Sequence, residues 1–222
     1  MKSTDAQLPL PGVQPAKQGR EVAPAWAWTE ARGWTERMLA TLARGVKGGK
    51  WYSLMDKAWK RENLESALKK VVGNKGAAGV DGQSVESYLR ESPKRLAQVE
   101  ARLKNGTYRP EPVKRVWIPK LGRKELRPLG VPTVEDRVVQ TAIRNVIEPI
   151  FENIFAEQSY GFRPGRGAKD ALRRVDQLLR AGKVWVVDAD LKGYFDSIPQ
   201  DKRMAAVAEH IADGPLLELI QR

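Results

Sequence analysis

Apolar residues recur at spacings of three and four through most of the chain, and the exceptions mark what is not helical. From Trp28 the series Ala31, Trp34, Met38 and Leu42 predicts a helix, interrupted by glycines at 45, 48 and 49. Trp51, Leu54, Met55, Ala58 and Trp59 predict a second. Asn63 is placed to cap a third, whose inward face is Leu64, Ala67, Leu68 and Val71 and whose stop is Gly73-Asn74. The run from Gly76 to Gly82 reads as a loop. One further helix starts near Val85, and another opens at Ser92-Pro93, buries Leu96, Val99 and Leu103, and ends at Asn105-Gly106.

The period then changes. Val113 to Ile118 is β-branched and aromatic, and Leu121-Gly122-Arg123-Lys124 suits a turn, which predicts a β-hairpin with a basic tip. Pro128, Gly130 and Pro132 hold an extended link to Thr133. The Thr-x-x-Asp spacing to Asp136 caps a helix with Val138, Val139, Ala142, Ile143, Val146 and Ile147 inward, and Pro149 is expected to break it. After a basic loop from Gly161 to Gly167, a helix through Ala171, Leu172, Val175, Leu178 and Leu179 feeds a buried strand from Val184 that carries Asp188 and Asp190. Helices around an extended pair, then a helix leading into a buried strand, indicate an α+β fold rather than a parallel βαβ array. Residues 1–25, rich in Pro, Gly, Gln and Ala, show no period and read as a flexible leader. At the other end the amphipathic pattern of residues 216–220 runs on without a cap, as in a chain cut short.

Composition narrows the partners. The 222 residues carry 39 Lys+Arg against 27 Asp+Glu, a formal net charge of +12, which favours a polyanion. Neither a spanning apolar run nor a concentrated basic amphipathic helix is present, so nucleic acid is preferred to a membrane. No secretory pattern opens the chain and it has no cysteine, which leaves the cytoplasm as the expected compartment and excludes thiolate metal sites.

Three groups of residues carry candidate chemistry. Asp190 ends the apolar run Val184 to Val187, where a carboxylate is placed to hold Mg²⁺ against phosphate; capping the turn is the equally open structural role. Phosphoryl transfer through two such ions needs at least one further carboxylate. Lys114, Arg115, Lys120, Arg123, Lys124 and Arg127 lie on or beside the hairpin around Trp117, a combination that suits single-stranded nucleic acid, although such a run alone also describes a solvated face. Arg163 and Arg166 offer guanidinium forks on the glycine-rich loop, with arginines pointing to water as the plain alternative. His210 has no ligand companion at metal spacing. Neither a P-loop nor a dinucleotide fingerprint occurs.

In order and spacing, Arg127 to Gln140 (RPLGVPTVEDRVVQ), Gln158 to Arg166 (QSYGFRPGR) and Asp190 to Asp196 (DLKGYFD) resemble the reverse transcriptases encoded by bacterial group II introns. Asn74 to Gly82 resembles that family's N-terminal extension. The resemblance implies a partial right-hand polymerase fold: a helical extension over 26–105, fingers with a β-hairpin over 106–180, and from 181 to 222 the start of the palm, with its first strand and the helix after it. It implies RNA-directed DNA polymerase chemistry with Mg²⁺, dNTP, template-primer and intron RNA. Asp190 matches the first catalytic aspartate, a ligand of both Mg²⁺ ions, with the Leu191 carbonyl assisting. Lys120 and Arg127 match residues that grip the incoming nucleotide's phosphates, and Phe195 the aromatic beneath its sugar. The departures are as informative. The sequence has no Tyr-x-Asp-Asp and no Asp-Asp pair, Pro199-Gln200 stands where Asp-His is common, and Lys169 where histidine is usual. The expectation is an N-terminal fragment, truncated before that motif, that does not polymerise alone; the alternatives are an intron-RNA-binding, maturase-like module without catalysis, or a decayed reading frame. The open edge of a half-built palm sheet would favour poor solubility or a homodimer.

Overall fold

The computed structural model describes residues 26–30, 33–46, 48–119, 122, 125–191 and 193–222. The leader expected over 1–25 lies outside the described residues. The chain forms α1 (Glu36–Arg44), α2 (Met55–Ala58), α3 (Arg61–Gly73), α4 (Val85–Arg90), α5 (Ser92–Lys104), β1 (Lys114–Pro119), β2 (Leu126–Val131), α6 (Val134–Glu152), α7 (Ala168–Arg180), α8 (Tyr194–Ser197), α9 (Gln200–Ala208) and α10 (Gly214–Gln221). This helix-rich body bearing a two-stranded antiparallel sheet is of the expected α+β class.

α6 is the spine. Its apolar residues at three- and four-residue spacing serve two cores in succession. Val134, Val138, Val139 and Ala142 pack with Leu64, Ala67, Leu68 and Val71 of α3, Val85 and Tyr88 of α4, and Leu96, Val99 and Leu103 of α5. One to two turns further on, Val146 and Ile150 join Trp34, Leu42, Leu54, Ala58, Ile211 and Leu216. Each fully buried aliphatic side chain among these contributes about 1.5–3 kcal/mol. The second core brings residues 211 and 216 against residues 34–58, so packing crosses the sequence-drawn boundaries after residues 105 and 180.

Three residues depend on partners distant in sequence, and at two of them the local pattern misleads. Pro149 does not break α6, which runs on to Glu152. A proline at 149 withholds the N–H that would bond the carbonyl of Asn145, and the Trp34 indole N–H donates to that carbonyl instead, at 3.1 Å. Asn63 is not the cap of α3, which begins after Lys60. It is wholly buried; its amide donates to the carbonyls of Lys57 at 3.0 Å and Ala142 at 3.0 Å and accepts from the Asn145 amide at 2.9 Å, tying α3 to α6. Asp213 caps two helices at once, accepting from Leu216 N of α10 at 3.0 Å and from Leu54 N and Met55 N at the start of α2 at 2.6 and 2.9 Å.

Two regions project from this body. β1 and β2 pair only with each other, in the register Lys114↔Val131 to Pro119↔Leu126. Pro128 and Gly130, expected in a link, lie within β2. α7 buries none of its residues. The buried strand expected from Val184 is not formed: residues 183–191 have no regular structure, and Val184, Trp185, Val186 and Val187 are 72%, 96%, 76% and 93% exposed. A strand is held by its ladder, and among the described residues the only sheet is the hairpin, which offers this run no partner.

Candidate nucleic-acid interface

The hairpin is anchored at its base by one carboxylate. Asp136, in the first turn of α6, is 3% exposed. Its Oδ1 accepts from the Tyr108 hydroxyl, and its Oδ2 accepts from Thr133 Oγ1 at 2.6 Å and Glu111 N at 3.3 Å, while its own N–H donates to Thr133 Oγ1 at 3.1 Å. Tyr108 and Glu111 precede β1 and Thr133 follows β2, so both ends of the hairpin meet at Asp136. Burial, and then the Asp136 carboxylate, push the Tyr108 phenol far above the usual tyrosine range, so it remains a donor. The same turn holds neighbouring segments. Glu135 pairs with Arg102 at 2.5 Å, and Arg137 Nη2 donates to the Ala77 carbonyl at 2.6 Å. The loop that carries Ala77 approaches so closely that a Cβ on Gly79 would fall 2.6 Å from Thr133 Cα, which only glycine avoids.

From this anchor the hairpin carries exposed cations. The register puts Lys114, Val116, Ile118, Arg127 and Leu129 on one face, and Arg115, Trp117, Leu126 and Pro128 on the other. Lys114 and Arg127 are thus divided from Arg115 between two faces, each with apolar companions. Lys114, Arg115 and Arg127 are exposed and form no ion pair among the described residues. Lys120, Arg123 and Lys124 lie outside the described residues.

The two loop arginines part company. Arg163 is not an exposed fork: its guanidinium is paired with Glu152 at 2.7 Å, donates to the carbonyls of Ala156 and Ser159 at 2.7 and 2.9 Å, and lies over the Phe155 ring at 5.3 Å. With its donors committed in this way it acts as an internal brace. Its main partner lies eleven residues back, beyond any local pattern. Arg166 donates to the Glu157 carbonyl, lies 5.9 Å from the Tyr160 ring centroid, and lines an open pocket with Glu157, Gln158, Tyr160 and Arg174.

Asp190 and Leu191 are exposed in the unpaired run before α8, with Asp188 nearby in sequence. Their oxygens are hard donors of the class Mg²⁺ takes, yet among the described residues no three His, Cys, Asp or Glu side chains gather as a metal set. Phe195 belongs by its backbone to α8, and the expectation for its side chain lies outside what is described. His210 packs edge-on against Phe151 at 5.9 Å. Among the described residues, no helix is long and apolar enough to cross a membrane.

Asp136 carries more than its sequence pattern revealed. The Thr-x-x-Asp spacing marked it as a capping partner, but Tyr108 is 28 residues away and no local signal joins the two. Arg174 lies on the helix through Ala171, Leu172 and Val175 and has no sequence signal of its own. Phe162, within the Gly161–Gly167 loop, stood out only as one of its letters.

Comparison with known proteins says to which class a chain with this anchored basic hairpin is related. Residues 118–221 match the reverse transcriptase (RNA-dependent DNA polymerase) family. The group II intron-encoded protein LtrA of Lactococcus lactis subsp. cremoris is 35% identical over 158 residues, covering 70% of this chain and 26% of that protein. Protein YkfC of Escherichia coli is 37% identical over 191 residues, or 83% of this chain and 50% of that protein. The Arabidopsis thaliana nuclear intron maturase 2, mitochondrial, is 32% identical over 87 residues, or 39% of this chain and 12% of that protein. Residues 118–221 thus carry the reverse transcriptase domain, which makes the helix-rich body with its two-stranded sheet part of a reverse transcriptase fold; the chain is homologous to group II intron-encoded protein LtrA over 70% of its length, and it spans between about a quarter and a half of the length of the first two relatives.

Proposed function

We propose that this chain works as the fingers and early palm of a group II intron-type RNA-directed DNA polymerase, gripping RNA through its hairpin, and that alone it does not complete the polymerase metal site. The observation that carries this reading is the hairpin: both its ends are fixed at Asp136, and Lys114, Arg115 and Arg127 project from it with no ion-pair partner among the described residues. Free cations on an anchored support suit phosphate, because nothing has to be broken or ordered before contact.

In this reading the division into extension (26–105), fingers (106–180) and early palm (181–222) is functional rather than one of packing. Lys114, Arg115, Arg123, Lys124 and Arg166 take RNA phosphates, while Lys120 and Arg127 meet the triphosphate of a dNTP and Phe195 its sugar. Asp190, with the Leu191 carbonyl, would hold Mg²⁺, which supplies charge neutralisation at the reacting phosphate. Further carboxylates are required for a two-ion site, and the sequence holds no Asp-Asp pair to provide them. The exposed run Val184–Val187 is where a second polypeptide, including another copy of this chain, would add. A maturase-like role, binding intron RNA in the cytoplasm without synthesis, is the second reading, supported by the anchored base of the hairpin and its exposed cations.

Primer extension on an RNA template with Mg²⁺ and dNTPs, alongside RNA binding at two salt concentrations, tests the proposal. The 222-residue chain should bind RNA with an affinity that falls steeply as salt rises, and should extend no primer. Extension by the chain alone, or salt-independent binding, overturns it.

A further inference from the structure

Phe162 is 99% exposed and has a backbone φ of 56°. A bulky residue in the left-handed region is strained, and a phenyl ring in water returns nothing to the fold for that strain. The loop is nonetheless held on both sides of it. Arg163, the next residue, is locked to Glu152, Ala156 and Ser159, and Arg166 is closed onto Glu157 and Tyr160. The ring is therefore presented outward by a braced support.

Cationic residues stand close to it in the chain. Arg166 and Arg174 line the open pocket beside Tyr160, with Glu157 the single acid there. Phe162 lies two residues from Tyr160, within about 7 Å along the chain. We propose that Phe162 is a stacking platform for an unpaired base of single-stranded RNA, with Arg166 and Arg174 taking the flanking phosphates. An aromatic face accepts any base, and guanidinium forks fit phosphate oxygens. A protein-binding hot spot would need an apolar rim around the ring. The adjoining residues in the chain, Gly161 and the buried Arg163, add no exposed apolar surface, and the +12 charge of the chain favours the polyanion. The inference rests on the RNA-binding reading above and names a subsite for it.

The test uses the full 222-residue chain and a short single-stranded RNA containing one 2-aminopurine, whose fluorescence is quenched by stacking. The wild-type protein and Phe162→Trp should quench on binding. Phe162→Ala should lose the quench and bind about five-fold or more weakly, with the slope of log affinity against log salt unchanged, because a stack and not a phosphate contact has been removed. Its melting temperature should not fall, since the ring buries nothing. Phe162→Gly, which accepts the left-handed backbone, should bind as weakly as the alanine variant and melt no lower. If wild type and Phe162→Ala bind and quench alike, the platform is refuted while RNA binding stands. A wild-type chain that associates with itself or with another protein through Phe162, with RNA affinity indifferent to the ring, also refutes it. No RNA binding by the wild-type chain at low salt overturns the functional reading together with this inference.

Discussion

α6 and α7 are both amphipathic in sequence, yet one is the spine of the molecule and the other buries nothing. α6 sets its apolar face between α3, α4, α5 and the segment around Ile211, and Val134, Val138 and Val146 are fully enclosed. α7 repeats the pattern with Leu172, Val175, Leu178 and Leu179, which are 67%, 49%, 37% and 46% exposed. The difference is not propensity. Periodicity shows which face of a helix needs covering, and only the rest of the chain shows whether a cover exists. The body around α6 is a support that explains its own stability, whereas α7, the hairpin and residues 184–191 have surfaces fitted to something else.

That contrast can be broken by mutation. Leu64→Ala, at a position with no exposure, should cost about 3 kcal/mol, whereas Leu172→Ala in α7 should stay within about 0.5 kcal/mol. Urea denaturation of both variants checks this, and similar losses would mean that α7 is as well covered as α6. The next effect sharpens the account of the spine. Trp34→Phe leaves the Asn145 carbonyl without its indole donor and should cost about 2 kcal/mol. In a Pro149→Ala background, residue 149 regains an N–H for that carbonyl, and the same substitution should cost at least about 1 kcal/mol less. A cycle without coupling would show that the indole does not stand in for the missing backbone donor.

What could be read in advance was mostly local chemistry. Thr133 accepts from the Asp136 N–H as its spacing foretold, α4 starts at Val85, proline follows Ser92 at the start of α5, and the hairpin forms where the period turned from helical to extended. The misreadings share a cause. Pro149 is tolerated because of Trp34, Arg163 is buried because of Glu152, and Asn63 serves Ala142 and Asn145 rather than its own helix end. Each depends on a partner distant in sequence. Val184 to Val187 failed as a strand in the opposite way: the residues have the right character, but pairing is a property of two segments and the second is not among the described residues. For the functional site, the motifs identified the family, while the division of the hairpin's cations between two faces came only from the register.

The central claim is that the projecting hairpin contributes binding and the body contributes stability, and one measurement separates them most directly. The affinity of a single-stranded RNA for the wild-type chain and for K114A/R115A is followed against salt, together with thermal melting of both. The account predicts a log–log salt slope about 1.4 units shallower for the variant, from two lost phosphate contacts, with stability unchanged within about 0.5 kcal/mol. An unchanged slope, or a variant that loses binding only because it unfolds, contradicts it.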